Sequence, residues 1–300
     1  VVPHLMKTPD YLSADFHVHS ENSVDSNMPL PSRVASYAAE GVDYISSTDH
    51  NFVSDFAPAV DALRLNEWLK TTVGLELTTL EMGHFNAFPL VLQPGPVTHG
   101  SFNWFRKAPG ELFGNLRSMG RLGPEKTVIQ VNHPRDSIMG YFEAFNVGTF
   151  TGTPLPSTSA LRLDQDPLPD GSSSPYLPEK FSLDFDALEV YNGKRQELIR
   201  NYRIPAVTPE GPEPTAPIPA PGEVLMEQDQ DQPAFPGALD DWYTLLSKGH
   251  AITATGNSDS HSASGEAGLP RTYVRVGSMA NGSMKAVQDE AVVDAIMTQK

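Results

Sequence analysis

The sequence predicts an α/β fold built on a parallel sheet, and three observations predict it. Strand-like and helix-like runs alternate along the chain, eight of the runs are apolar or β-branched and of strand length, and several of these close on polar residues. Alternation implies crossover helices between parallel strands, and eight strands favour a barrel over an open sheet. A length of 300 residues suits one such barrel as well as two medium domains.

The first strand is expected over Ala14–Val18. Pro31–Glu40 follows as a helix, with proline at its start, Val34, Tyr37 and Ala38 alternating with polar positions, and Gly41 as its stop. Strands are expected at Val42–Ser46, Thr72–Leu77 and Phe85–Leu92, then a helix at Ala108–Met119 and a strand at Thr127–Val131. Beyond these come a strand at Ala187–Tyr191, helices at Arg195–Tyr202 and Leu239–Leu246, strands at Ala251–Thr255 and Thr272–Val276, and an amphipathic helix at Val287–Met297. Two stretches interrupt the pattern. Residues 149–178 are rich in Gly, Ser and Pro, and residues 205–236 carry nine prolines and six acidic residues with no Lys or Arg. Neither can bury enough apolar surface to fold by itself, so both read as surface insertions of one domain spanning residues 1–300. No period of 20 to 50 residues recurs, which sets solenoids and propellers aside.

Twenty-one basic residues against 37 acidic ones give a net charge of −16, which disfavours a long nucleic-acid footprint. A small anionic substrate stays compatible where metal ions supply positive charge. No apolar run approaches the roughly 20 residues of a membrane span. The absence of cysteine excludes disulfides, thiolate metal sites and a cysteine nucleophile, so any metal must be held by histidines and carboxylates. Val1 in place of Met, with no basic-then-apolar leader, fits a mature product or a segment of a longer protein. The acidic, cysteine-free composition with Pro-rich insertions leans toward export, although a fragment of a cytoplasmic protein would look the same. Oligomeric state is left open.

Nine histidines occur, and their placement is the most informative feature. His17 and His19 stand two apart on the first expected strand, so both rings leave one face, which Asp15 shares. Asp25 follows in the polar loop Ser20–Met28. The second strand runs into Asp49-His50, the third into Glu76 with His84 opening the next, the fifth into Asn132-His133, and the seventh into Asp259-Ser260-His261. In a parallel barrel such strand ends form the rim that carries the active site. Any one of these residues alone would more often be a cap, a turn pair or a solvated group. Their convergence on one edge is what points to a metal centre. His4, His99 and His250 do not share this placement and read as structural or surface residues.

Phe16-His17-Val18-His19-Ser20, Thr48-Asp49-His50, Gly74-Leu75-Glu76, Asn132-His133-Pro134 and Ser258-Asp259-Ser260-His261 resemble the ordered motifs of the PHP (polymerase and histidinol phosphatase) superfamily, over nearly the whole chain. Gly83-His84-Phe85-Asn86, Asp186 to Gly193 and Gly268 to Tyr273 resemble its CehA/McbA-type branch, named for carbaryl hydrolases. The resemblance implies a distorted (β/α)7 barrel of TIM type holding two or three divalent ions. It implies that His17, His19, Glu76 and Asp259 form one ligand set, that His50, Asp25, His133 and His261 complete the others, that Glu76 bridges, and that His84 is a further ligand. Asp25 stands where some relatives have histidine.

Imidazole and carboxylate donors without sulfur suit Zn, Mn or Fe. Two such ions can share a water, lower its pKa and present hydroxide, which is hydrolysis without a protein nucleophile; no G-x-S-x-G elbow offers the alternative. Arg135 and Arg271 are candidates to clamp an anionic group, or equally salt-bridge residues. Asp15 is expected to orient a ligand histidine through its free N–H, and Asp49 to do the same or to assist proton transfer. The superfamily resemblance implies a phosphoesterase acting on a small phosphomonoester, nucleotide or phosphodiester. The nearer branch implies a carboxyl-ester or carbamate hydrolase, and an inactive metal-bound module is the remaining reading.

Overall fold

Short buried runs of β-branched, aromatic and small residues make the strands. In the computed structural model, which describes residues 8–136, 139–155, 167–168, 170–199, 237–263 and 267–298, β1 (Tyr11–Asp15), β2 (Tyr44–Ser47) and β3 (Lys70–Val73) lie parallel. The strand β11 (Thr272–Arg275) runs antiparallel along the other side of β1, giving the order β11-β1-β2-β3. A second sheet has the order β10-β9-β6-β5-β4, from β10 (Thr253–Asn257), β9 (Ala187–Asn192), β6 (Val128–Val131), β5 (His84–Phe88) and β4 (Leu75–Thr78). Its β10–β9 and β9–β6 pairs are parallel, while β6–β5 and β5–β4 are antiparallel. A two-residue hairpin, β7 (Val147–Gly148) with β8 (Thr153–Pro154), stands apart. The insertion expected at residues 205–236 and part of that at 149–178 lie outside the described residues.

The α/β class is as expected, but the parallel barrel is not what forms. Among the described residues the sheets are mixed, and no continuous ladder closes them. Single bridges, Val18 with Ser260 and His50 with Glu76, join them instead at the end where β1, β2 and β10 stop. The expected strand Thr72–Leu77 is split at Gly74 into β3 and β4, which belong to different sheets. A Cβ at Gly74 would lie 2.8 Å from Ser46 Oγ and 2.9 Å from the carbonyl oxygens of Ser47 and Ala87, so only glycine lets the chain cross between the sheets there. The first strand also lies three residues earlier than expected: it runs from Tyr11 to Asp15, and His17 and His19 lie on the extension beyond it.

The helices are α1 (Leu30–Ala39), α2 (Ala57–Ala62), α3 (Pro109–Ser118), α4 (Tyr141–Ala144), α5 (Ala238–Ser247) and α6 (Asp289–Met297). Gly41, with φ of 67°, ends α1 as expected. In place of the helix expected at Arg195–Tyr202 there is one short 3₁₀ turn, Gln196–Leu198, and residues 200–202 lie outside the described residues. Phe113 of α3, Tyr141 and Phe142 of α4 and Leu245 of α5 pack with Phe85 and Leu188 of the second sheet. Val292, Val293 and Ile296 of α6 pack with Leu12, Tyr44 and Val128. Val34 and Tyr37 of α1 and Val60 of α2 cover Ile45. Each large side chain so buried contributes about 2–3 kcal/mol, and together they fix the ends of the strands. No helix among the described residues is long and apolar enough to cross a membrane.

Candidate metal centre

Strand ends deliver the donors. His17 and His19 follow β1, His50 follows β2, Glu76 lies in β4, His84 opens β5, His133 follows β6, and Asp259 and His261 follow β10. All are buried except His50, which is nearly so. Glu76 is the hub: its Oε1 lies 3.1 Å from His17 Nε2, 3.2 Å from His84 Nδ1 and 3.8 Å from His133 Nε2, and its Oε2 lies 2.5 Å from His50 Nδ1 and 3.7 Å from His19 Nε2. Asp259 Oδ1 is the second focus, 3.4 Å from His17 Nε2, 3.3 Å from His19 Nε2 and 3.2 Å from His261 Nδ1. Four triads have donor atoms within 4.8 Å of one another: His17/Glu76/His133, His17/His19/Asp259, His50/Glu76/His84 and His19/His50/His261. Asp25, whose side chain is 52% exposed, lies at the outer edge, 3.3 Å from His50 Nε2 and 3.1 Å from His261 Nε2. All nine sequence-selected metal candidates therefore come together.

The donor chemistry fits a cation. His17 Nε2, His19 Nε2, His84 Nδ1, His133 Nδ1 and Asp259 Oδ1 are buried and make no hydrogen bond, although such atoms almost always find a partner. For three histidines the hydrogen bond on the other ring nitrogen shows which lone pair is bare. His17 Nδ1 donates to Glu189 Oε1 at 2.9 Å, and His261 Nδ1 donates to the Asp259 carbonyl at 2.8 Å. Ser23 Oγ spends its proton on Asp49 Oδ1 (2.8 Å), so at 2.9 Å it accepts from His19 Nδ1. In neutral form the rings of His17 and His19 present Nε2 with its lone pair free, and that of His261 presents the Nε2 lone pair toward His50 Nε2 at 3.4 Å, the state a metal requires. Backbone strain agrees, for His133 (φ 25°) and Asp259 (φ 52°) occupy the left-handed region that non-glycine residues enter at a cost.

Charge is concentrated to match. Burial alone would raise Glu76 and Asp259, but the surrounding imidazoles hold both well below the usual carboxylate range: His50, His84 and His17 for Glu76, and His17, His19 and His261 for Asp259. Burial alone would likewise lower His17, yet Asp259, Glu189 and Glu76 hold it well above its ordinary value, and Glu76 and Asp25 push His50 up to about 9. His19 is driven down by burial and by His261 and His50. The basin favours positive charge, which a divalent ion supplies without protons.

The remaining candidates stand elsewhere. Asp49 is enclosed by hydroxyls, accepting from Ser20 Oγ, Ser23 Oγ and Ser54 Oγ and from the Ser20 N–H; it fixes the loop that carries Ser23. Arg135 grips Asp241 with two hydrogen bonds of 2.7 and 2.6 Å, donates to the Val147 carbonyl and Thr149, and lies over the Phe142 ring. Arg271 donates to the Gly268 and Glu40 carbonyls. Neither guanidinium contacts the histidines. Asp15 accepts from the His17 main-chain N–H, from Tyr37 and from the Ser258 N–H, so the ring of His17 is oriented by Glu189 and not by Asp15 as expected.

Sequence reasoning passed over the groups that support the donors. Glu189 Oε2 accepts from the His133 N–H and from Asn192 Nδ2, both at 2.9 Å. Asn132 Nδ2 donates to Glu76 Oε1 at 2.8 Å, and Asn192 also donates to Asp259 Oδ2 at 3.1 Å. A lone carboxylate inside the apolar strand Ala187–Asn192 was the available signal for Glu189. No family model matches this chain, and no curated protein does. Similar solved structures include PsfC of Pseudomonas syringae, 12% identical with a TM-score of 0.46 over 96% of this chain and 89% of that one. A candidate metal-dependent phosphoesterase of Bifidobacterium adolescentis is also 12% identical, with a TM-score of 0.39 over 83% of this chain and 87% of that one.

Proposed function

We propose that this chain is a metal-dependent hydrolase of the PHP type that cleaves a small phosphoester. The observation that carries the reading is the set of bare, buried donors, with His17 Nε2 and His19 Nε2 lying 3.4 and 3.3 Å from Asp259 Oδ1. His17, His19 and Asp259 would hold one divalent ion, and His50, Glu76 and His84 a second, with Glu76 also reaching toward His17 and His133. A third position is offered by Asp25, His50 and His261. Bound divalent ions supply Lewis acidity toward the ester and acidify water.

The chain's own groups do the rest. Glu189, Ser23 and the Asp259 carbonyl hold the protons of His17, His19 and His261 on Nδ1. Ser20, Ser23 and Ser54 are buried and donate their hydroxyl protons to Asp49, which gives them the role of holding this loop. Phosphoester cleavage, rather than attack on a carboxyl ester or carbamate, is proposed from the motif resemblance, since the same donors could serve either reaction. The test is metal content together with turnover of p-nitrophenyl phosphate and p-nitrophenyl acetate. Stoichiometric divalent metal and phosphate-ester turnover, both lost in His17→Ala and Asp259→Ala, are expected. Full activity in either variant would overturn the ligand assignment, and acetate turnover alone would favour the carboxyl-ester reading.

A further inference from the structure

The turn that follows β9 carries a cation the centre has not yet used. Asn192, at its start, donates to Glu189 and to Asp259 Oδ2. Arg195, at its end, donates to Asp136 at 2.7 Å, and Asp136 stands 4.0 Å from His133 Nδ1. The turn is therefore tied to the centre on two sides, and Lys194 lies between the ties. Its backbone is fixed: the N–H of Lys194 donates to Asn192 Oδ1 at 2.8 Å, and that of Gly193 donates to the Asn257 carbonyl at 2.9 Å. Gly193 is pressed so closely on the rim that a Cβ would lie 2.5 Å from the Ser258 carbonyl oxygen and 2.7 Å from that of Leu269.

Lys194 itself is exposed and makes no ion pair among the described residues. Among the described residues, the arginines considered at the centre are engaged. Arg33 is buried against the His19 carbonyl and Ser260, Arg135 is bound to Asp241, and Arg271 is held by main-chain carbonyls.

We propose that Lys194 is a substrate-positioning residue that receives the phosphoryl oxygens of an anionic ester at the His261 side of the centre. The inference rests on the hydrolase reading above and narrows its substrates to anions. An ammonium on a flexible stem suits a phosphate as a point charge, and the main chain that carries it is fixed against the segment leading to Asp259 and His261. A substrate bearing charge on the phosphoryl group gains this contact, whereas a neutral ester gains nothing from it.

The experiment compares the metal-loaded wild type with Lys194→Gln and Lys194→Arg, using inorganic phosphate as the binding probe in calorimetry and p-nitrophenyl phosphate as the substrate. In Lys194→Gln, phosphate affinity should fall about tenfold and KM rise by a similar factor, with kcat changed far less. Lys194→Arg should restore most of both. Lys194→Met, which keeps the aliphatic stem, replaces the glutamine variant if that one fails to fold. Unchanged phosphate affinity and KM in a folded, charge-free variant would overturn the role of Lys194 while leaving phosphoester hydrolysis intact. A wild type that neither binds phosphate nor turns over the phosphate ester would overturn the phosphoester reading, and the role of Lys194 with it.

Discussion

A histidine serves a metal through the ring nitrogen whose lone pair is free, and for His17 Glu189 decides which one that is. Its Oε1 holds the Nδ1 proton at 2.9 Å while Oε2 takes the main-chain N–H of His133, so one carboxylate aligns two donors. Glu189→Gln keeps the volume but offers only one oxygen acceptor. Metal affinity, read by competition with a chromogenic chelator, should fall about 10- to 100-fold, and unchanged affinity would show that Glu189 is idle. The residue is also instructive about what a sequence discloses. His17, His19, His50, Glu76, His133, Asp259 and His261 were legible because each stands at or near the end of a run that reads as a strand, a local pattern that shows without the fold. Glu189 was not legible, because its partners lie 172 and 56 positions away. Arg135 was undecided for the same reason: beside His133 it read as a clamp or equally as a salt-bridge residue, and only the fold brings Asp241, 106 positions away, against it.

At the level of elements, that Arg135–Asp241 pair joins the segment after β6 to α5. Asp241 is 2% exposed, so Arg135→Ala would strand a buried carboxylate and should lower unfolding free energy by about 3 kcal/mol in urea titration. A loss under 1 kcal/mol would show that the pair does not hold α5. Its neighbour Asp240 accepts the Gly237 N–H at the helix start, and burial with Asp241 beside it pushes its carboxyl up to about 6 from 3.8. The folded state thus holds this proton more tightly than the unfolded chain. Stability contributed here falls as pH rises from about 4 to 6, by at most about 3 kcal/mol, and stays low above that. Asp240→Asn keeps an acceptor for Gly237 and should raise the Tm at pH 7 while leaving it nearly unchanged at pH 4. An equal shift at both pH values would rule this out. Most strands were legible from their apolar runs, but direction was not: β5 is antiparallel to both neighbours, and nothing in a short apolar run encodes the sense of its pairing.

Across the whole molecule, the two sheets share few backbone bonds. The bridges Val18–Ser260 and His50–Glu76 sit beside the donors themselves, so the seam between the sheets and the centre are one region. Without a cation, the carboxylates there must be balanced by protonated histidines such as His17. In the proposed metal-loaded state chelation should therefore lower the Tm, by roughly 10 °C for an ion held a thousandfold below its working concentration. Restored metal should restore it, and a Tm indifferent to chelator would argue against metal at this seam. The donors come from residues as far apart in sequence as His17 and His261 and from both sheets. In a chain with no cysteine, the proposed ions would act as covalent-like cross-links, stapling the segment after β1 to the segment after β10 and making the working site and the mechanical fastener of the fold the same few atoms.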